Sequence, residues 1–558
     1  MILRTPSREN HSQFALFSIL ALAFFARLWR ASGTFFNPDE ALHALTAYQN
    51  SLMAAYKASL GLAHPPLLII FLYYWRQLGS SELWLRLPSV IAGTIFCFFL
   101  FHWIKTILGS TPAWIAFLFA CFLPPMIELS AEVRQYALLL CFLSITVFLL
   151  ELAFCKNRAL YLVFSFFFLY LAMLTHYSAL LFVAALGIYS LLRLWRGKFS
   201  SGLMAAWIVG QLAALGLFVF LYKTHISIQK GSDQARRVFT ESLPNSFFHH
   251  GHDHLLSFAF ARTFGTFQFL CSQLAIGDIA GLVFFVGIVF LLRRTPNLDV
   301  VISSEAKSAE GALGEVEKPA FALNQNLPKA NRRLLAVFLL LPYMLNCIVA
   351  YADLYPYGGT RHSSFLVLFA IAGISYALVR ICKRHSLRAV SAAVAIIILC
   401  QLLGSPHRPY MTRRDQAKTN MTQAIAAIKN QASPGSLLFI DLQTSFLLQN
   451  YLCPATVPDT TSLPGFWKYS CSGYDVVSTT PDQSIFTPEL LFQKWTDFTH
   501  TAAFRPNQPV WVFQAGWNIH LAQSLQSEPH SSLVSNFPQL HNFHPQTFGQ
   551  NISLFRWT

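Results

Sequence analysis

Apolar runs of about 20 residues recur along the first 404 positions and then stop, and this pattern limits the chain to few architectures. A bilayer's hydrocarbon core, roughly 30 Å thick, needs about 20 consecutive apolar residues per helix; stretches such as "FALFSILALAFFARLW" supply them repeatedly. Composition agrees, since 54% of the 558 residues are hydrophobic, only 12% are charged and 52 are Phe, whereas a soluble domain carries about a quarter charged residues. The expected fold is a mainly α polytopic membrane protein with juxtamembrane helices on its outer face. Residues 405–558 differ, with polar spacing, turn signals such as "SPG" and "LPG", and short apolar runs. They read as a small α/β domain outside the membrane, which divides the chain into 1–404 and 405–558.

The formal net charge of +15 does not point to nucleic acid, because Lys and Arg cluster in short loops between apolar runs, where they act as orientation signals. Placing Lys105, Lys156 with Arg158, Arg193 with Arg196 and Lys198, Arg293 with Arg294, Arg332 with Arg333, and the 380–388 cluster on the inside requires eleven spans. These run near 13–30, 84–105, 112–128, 135–154, 159–174, 177–194, 203–222, 274–292, 334–351, 362–380 and 389–404. The first segment lacks an A-x-A-like cleavage site and reads as a retained anchor with a cytoplasmic N-terminus. The odd number then puts the C-terminal domain outside. Segments 64–79 and 255–272 are expected to lie in the outer interface, and 295–331, rich in Ala, Glu, Lys and Pro, in a flexible cytoplasmic loop. No internal repeat is visible, and the short outer loops fit a bacterial inner membrane.

This topology gathers polar residues on one face. "NPDEALHA" places Asp39 and Glu40 just beyond the first helix; His64, Glu82, Arg86, Glu132, Arg134, His176, the 223–258 loop, Arg361 and His362 fall on the same side. Charge beside hydrocarbon is costly and usually faces a cavity or a partner.

In order, "NPDEALHA", "HPPLLIIFLYYWRQLGSSELWLRLPSVIAG", "ELSAEVRQYALLL", "LTHYSALL" and "YPYGGTRHSSFLVL" resemble the successive signatures of GT-C membrane glycosyltransferases. The similarity runs to the family 39-like branch, related to protein O-mannosyltransferases and lipid A aminoarabinose transferases. It implies a sugar linked through phosphate to a polyprenol, transferred with inversion to a glycan, lipid or protein acceptor on the outer face. It also implies that Asp39 is the general base or orients the acceptor, with Glu40 as a second acid. Related enzymes can hold a divalent ion here, although two adjacent carboxylates do not define such a site; no cofactor is assigned and metal stays open. The chemistry suits these positions: a base removes the acceptor's proton, worth roughly 100 to 10,000-fold, and cations hold the departing phosphate.

Arg361 is the first candidate for that phosphate, since a guanidinium matches phosphate oxygens in a two-pronged way and Gly358 and Gly359 permit close backbone approach. The same turn would also serve simply to start a helix. Arg134 is the second cation, or a structural partner of Glu132 or another acid. His64, fixed by Pro65 and Pro66, and His176 either line the substrate pocket or hydrogen-bond locally. Glu82 and Arg86, four apart, are expected to pair. "HHGHDH", residues 249–254, matches no standard zinc spacing and reads as a solvated loop. Eight cysteines accompany apolar segments; Cys453 and Cys471 are positioned to pair outside the membrane. The competing class of function is a non-catalytic translocase of lipid-linked sugars, which would concentrate ionisable groups near midplane.

Overall fold

The computed structural model describes residues 8–230, 243–293, 329–383, 385–404, 417–453, 461–480, 487–516, 521, 545–549 and 551–557. The expected loop at 295–331 lies almost wholly outside them, as does part of 223–258. Among the described residues, nine helices are long and apolar enough to cross a membrane, by length and composition: His11–Ser32, Glu82–Leu108, Tyr136–Lys156, Ala179–Arg196, Ser201–Gln229, Leu274–Leu292, Arg332–Tyr351, Arg361–Ile381 and Ser386–Leu403. Each overlaps one of the eleven expected spans. The other two are shorter helices, Ser110–Phe122 and Ala159–Met173. At 1.5 Å per residue they rise only about 20 and 22 Å. The first is stopped by Leu123-Pro124-Pro125, because proline excludes the preceding residue from helical geometry. The second ends in the turn that carries His176. Segments 64–79 and 255–272 form the short helices Leu67–Trp75 and Leu255–Cys271.

The helices share one core rich in Phe and Leu, including the buried Phe96, Phe117, Phe182, Phe284 and Phe338. Apolar side chains such as Ile208, Val209, Leu212 and Leu215 face outwards from Ser201–Leu221, as a lipid-facing surface requires. Glycines set the closest approach: a Cβ on Gly287 would lie 2.6 Å from the Gly373 carbonyl oxygen, so Leu274–Leu292 and Val367–Ile381 meet backbone to backbone.

The C-terminal residues form a seven-stranded sheet, ordered β2-β3-β4-β1-β5-β7-β6. The strands are β1 Leu437–Ile440, β2 Thr461–Leu463, β3 Phe466–Cys471, β4 Tyr474–Thr479, β5 Val510–Gln514, β6 Gln546–Phe548 and β7 Ile552–Trp557. β1 runs parallel to β4 and β5, and the remaining pairs are antiparallel. The helix read from "NMTQAIAAIKNQ" spans Lys418–Gln431, and the strands read from "GSLLFID", "PVWVFQAG" and "NISLFRW" are β1, β5 and β7. A disulfide joins Cys453 to Cys471.

One face of the sheet packs on Leu442–Tyr451, which in turn packs on the helix Pro38–Ala47, so Phe35, Phe36, Ala41 and Ala44 share a core with Leu447 and Leu448. Polar ties reinforce this seat. Asn450 donates to the Ala41 carbonyl, the Tyr451 hydroxyl accepts from the Phe36 amide and donates to Glu82, and Lys418 pairs with Glu82 at 2.5 Å. The expected Glu82–Arg86 pair therefore does not form, because each residue has a partner from another segment within shorter reach than its helical neighbour.

Gly287→Ala should lower thermal stability in detergent by about 1–3 kcal/mol, since a backbone carbonyl cannot yield to the added methyl. Gly202→Ala, where a Cβ meets nothing within 4 Å, is the control and should leave the midpoint unchanged or slightly raised.

Candidate active site

Asn37 caps Pro38–Ala47: its side chain accepts from the Glu40 amide at 2.9 Å while the Glu40 carboxylate accepts from the Asn37 amide at 3.0 Å. This reciprocal cap fixes both acids in the first helical turn. They then face different ways. Glu40 is buried, 1% exposed, and its carboxylate takes a two-pronged bond from Arg86 at 2.7 Å on each oxygen and a third contact from the Val133 amide at 2.8 Å. Arg86 also donates to the carbonyls of Ala31, Thr34 and Phe35 at 2.7–2.9 Å. Glu40 thus anchors the start of Pro38–Ala47 to the helix Glu82–Leu108 and to the segment bearing Glu132 and Arg134.

Asp39 lies on the more open side, its side chain 29% exposed. One oxygen, Oδ2, receives both Arg134 at 3.0 Å and Arg361. Arg361 also approaches Glu132 at 3.9 Å, and both guanidiniums lie near the face of the Tyr136 ring. Arg134 is buried, and its Nε has no hydrogen-bond partner. Glu132 is held above the usual carboxylate range, chiefly by burial, with Arg361 opposing.

Three histidines close the other side. His64 stacks on His176 with ring centroids 4.9 Å apart, and His362 lies 6.1 and 6.4 Å from them. Backbone geometry makes this meeting: the Leu67 amide bonds the Leu174 carbonyl, tying the His64-Pro65-Pro66 corner to the His176 turn. Tyr355 donates to the His362 carbonyl and steadies the third. Burial, together with Arg134 and the neighbouring imidazoles, pushes His64 and His176 well below the ordinary histidine range.

All eight sequence candidates, Asp39, Glu40, His64, Glu132, Arg134, His176, Arg361 and His362, therefore meet in one region. Gly358 and Gly359 do approach backbone closely, but the backbone is that of Leu255–Cys271, where a Cβ on Gly359 would lie 2.3 Å from the Gly265 carbonyl. Two further residues belong to the site. Tyr136 sits beneath both guanidiniums and against all three histidine rings. His43, one helical turn after Asp39, bonds the Asp39 carbonyl at 2.7 Å through Nδ1. The i, i+4 spacing from Asp39 was the available signal for His43; for Tyr136 only its position two residues beyond Arg134 was. The 249–254 histidines are elsewhere: His249 pairs with Asp253 at 3.3 Å on the surface.

Asp39 and Glu40 do not suit a divalent ion, because both Glu40 oxygens are committed and Asp39 Oδ2 holds two guanidiniums. No step is assigned to a metal there.

Residues 63–222 match the family described as dolichyl-phosphate-mannose-protein mannosyltransferase. The GT-C resemblance is borne out. The match spans less than half of the chain and includes His64, Glu132, Arg134 and His176, but not Asp39 or Arg361. It supports glycosyl transfer as the class of chemistry; the sugar and the acceptor are not part of it. Among solved structures, ArnT from Cupriavidus metallidurans is similar in its apo state (13% identity, 99% of this chain and 98% of that one, TM-score 0.37) and bound to undecaprenyl phosphate (12%, 98% and 98%, 0.39). The Archaeoglobus fulgidus oligosaccharyltransferase follows with 10% identity, 78% of this chain, 61% of that one and TM-score 0.41. At such scores the superpositions decide neither mechanism nor substrate. No curated protein sequence matches the chain.

Removing Arg86 leaves a buried carboxylate uncompensated, at a cost of about 3–5 kcal/mol. Arg86→Met should therefore strongly reduce the yield of monodisperse protein, as read by size-exclusion chromatography, even though Arg86 touches neither Asp39 nor Arg361.

His43 supplies a pH signature. Burial and Arg134 lower it from 6.5 to about 3, so between those values the unfolded chain binds a proton that the fold refuses, and stability falls as pH drops below 6.5. His43→Asn should flatten the slope of melting temperature against pH between 6.5 and 4.

Proposed function

We propose that the chain transfers a sugar from a polyprenyl-phosphate donor to an acceptor outside the membrane by direct, inverting attack. The observation that carries this reading is the convergence of Arg134 and Arg361 on a single oxygen of Asp39, from three segments far apart in sequence. A carboxylate between two guanidiniums is a poor proton acceptor, but it marks a place where an anion binds. The donor's phosphate is the natural competitor: it takes the guanidiniums, and Asp39 is released to accept the acceptor's proton. The unpartnered Nε–H of Arg134 gives the phosphate a further donor. The family description matched by residues 63–222 names a dolichyl-phosphate sugar, a donor of this class.

Within this reading Asp39 is the base, and Arg134 and Arg361 hold the leaving phosphate. Glu132 restrains Arg361, while Glu40 positions rather than reacts. His64, His176 and His362 border the sugar pocket. The α/β region, seated on the helix that carries Asp39, guides the acceptor. We place the chain in a bacterial inner membrane with this face in the periplasm. A translocase would need charge distributed along a path; here the candidate groups gather at helix ends.

Transfer of radiolabelled sugar from polyprenyl-phosphate donors in proteoliposomes tests the reading. Asp39→Asn should cut transfer at least ~100-fold while donor lipid still binds; near-normal transfer would reject Asp39 as base. Arg361→Lys should raise the donor concentration needed for half-saturation, because an ammonium lacks the planar fork. Unchanged donor saturation would remove Arg361 from the phosphate site.

A further inference from the structure

We propose that His43 recognises sugar: its Nε2 accepts a hydrogen bond from a hydroxyl of the carbohydrate that occupies the site. The other ring nitrogen fixes where the proton sits. Nδ1 lies 2.7 Å from the Asp39 carbonyl oxygen, and a carbonyl only accepts, so Nδ1 carries the hydrogen and a neutral ring leaves Nε2 with a lone pair. The bond through Nδ1 is the one hydrogen bond that the His43 side chain makes among the described residues, so nothing there donates to that lone pair.

The surroundings keep the ring neutral. His43 is 3% exposed, and burial first, then Arg134, with Arg361 adding to it, lowers its titration to about 3. A group so weakly basic does not take the acceptor's proton at neutral pH; it stays a fixed hydrogen-bond acceptor, which separates its part from that of Asp39.

The chemistry of the partner follows from the same neighbours. The two guanidiniums repel a cation, and an anion offers lone pairs where a proton is needed, so a neutral O–H fits. Asp39 and His43 are one turn apart on one face of Pro38–Ala47, a spacing that puts Cβ atoms about 5–6 Å apart, and the His64 ring centroid lies 6.3 Å from that of His43. His43 therefore neighbours both the carboxylate and the histidine cluster. A ring bearing several hydroxyls can engage both acceptors of the helix at once, which a lone serine or lipid hydroxyl cannot. Whether the sugar is the donor's or the acceptor's is a question that rests on the transferase reading.

Two substitutions keep different halves of the imidazole. In His43→Asn the amide nitrogen takes the place of Nδ1 and still reaches the Asp39 carbonyl, while the Nε2 position is lost; in His43→Gln the amide reaches the Nε2 position and the bond to the carbonyl is lost. Full-length protein in nanodiscs is titrated with undecaprenyl phosphate carrying mannose or glucose and with undecaprenyl phosphate alone, and transfer is followed with short oligosaccharides as acceptors. If the donor's sugar is bound, His43→Asn should weaken binding of the glycosylated lipids about 5- to 150-fold and leave the bare lipid phosphate unchanged. If the acceptor's sugar is bound, donor binding should stay and the acceptor KM should rise by that factor. His43→Gln should lose less than His43→Asn in the same measurement. A purely structural role reverses this order, with His43→Asn near normal, and overturns the proposal, as does a wild type that binds none of these sugars. Where neither variant folds, donors and acceptors lacking one hydroxyl at a time decide on the wild type, and the absence of any position whose removal costs about fivefold overturns it. Sugar binding that depends on His43 without any transfer would leave this site standing and reject the transferase reading; normal transfer by both variants would do the reverse.

Discussion

The buried pair of Glu40 and Arg86 holds the face that carries the candidate site together. Each is 1% exposed, and two charges taken out of water repay their desolvation only when geometry is good and the remaining donors are satisfied. Here they are. Arg86 reaches three carbonyls as well as the carboxylate, and the carboxylate also receives the Asn37 and Val133 amides. The end of the first long helix, the helix Pro38–Ala47 and the 132–134 segment are thereby pinned to one ion pair. Asp39, next to Glu40, and Arg134, next to Val133, inherit their positions from that node. The α/β region depends on it too, because it rests on the helix whose capping box Glu40 completes.

The membrane helices were legible because hydropathy over 20 residues is a property of contiguous sequence. All nine long helices among the described residues were visible, and two short ones fell below span length where Pro124 and the His176 turn interrupt the run. Pairings were much less legible. Arg86 has a helical neighbour, Glu82, at the spacing that stabilises isolated helices by only about 0.2–0.5 kcal/mol. It bonds instead with Glu40, 46 positions away, because in a buried setting the partner offering two-pronged geometry wins over the one that is merely local. Likewise, nothing in the local sequence says that Glu82 will meet Tyr451 and Lys418 across the fold.

The site itself was read as a set of residues without an arrangement. The ordered motifs singled out the residues; tertiary structure supplied their arrangement. Asp39 and Glu40 are adjacent in sequence, yet the helix turns one into a buried tie and the other toward two cations. His64 and His176 each had a local explanation when considered singly, and His362 was read only beside Arg361. Only the bond from Leu67 to Leu174 and the turn at Arg361 make them a group. Tyr136 escaped notice for a related reason: an aromatic residue opening an apolar helix looks like ordinary core, and its contacts with two guanidiniums and three imidazoles come from four separate places in the chain.

The resting contact between Asp39 and the two arginines has a chemical logic under the proposed reading. A free carboxylate in a pocket open to water could activate water as readily as an acceptor hydroxyl, and a phosphate-linked sugar would then be lost by hydrolysis. Holding the carboxylate with the same guanidiniums that bind the leaving phosphate couples the two functions. Before the donor arrives the base is occupied and the arginines have a counter-ion, so neither leaves an uncompensated charge beside the bilayer. Once the phosphate displaces Asp39, the cations stabilise the leaving group and the carboxylate must find a new partner. The acceptor's hydroxyl proton is that partner when the acceptor is present, so the base is available only in the ternary arrangement in which transfer is productive.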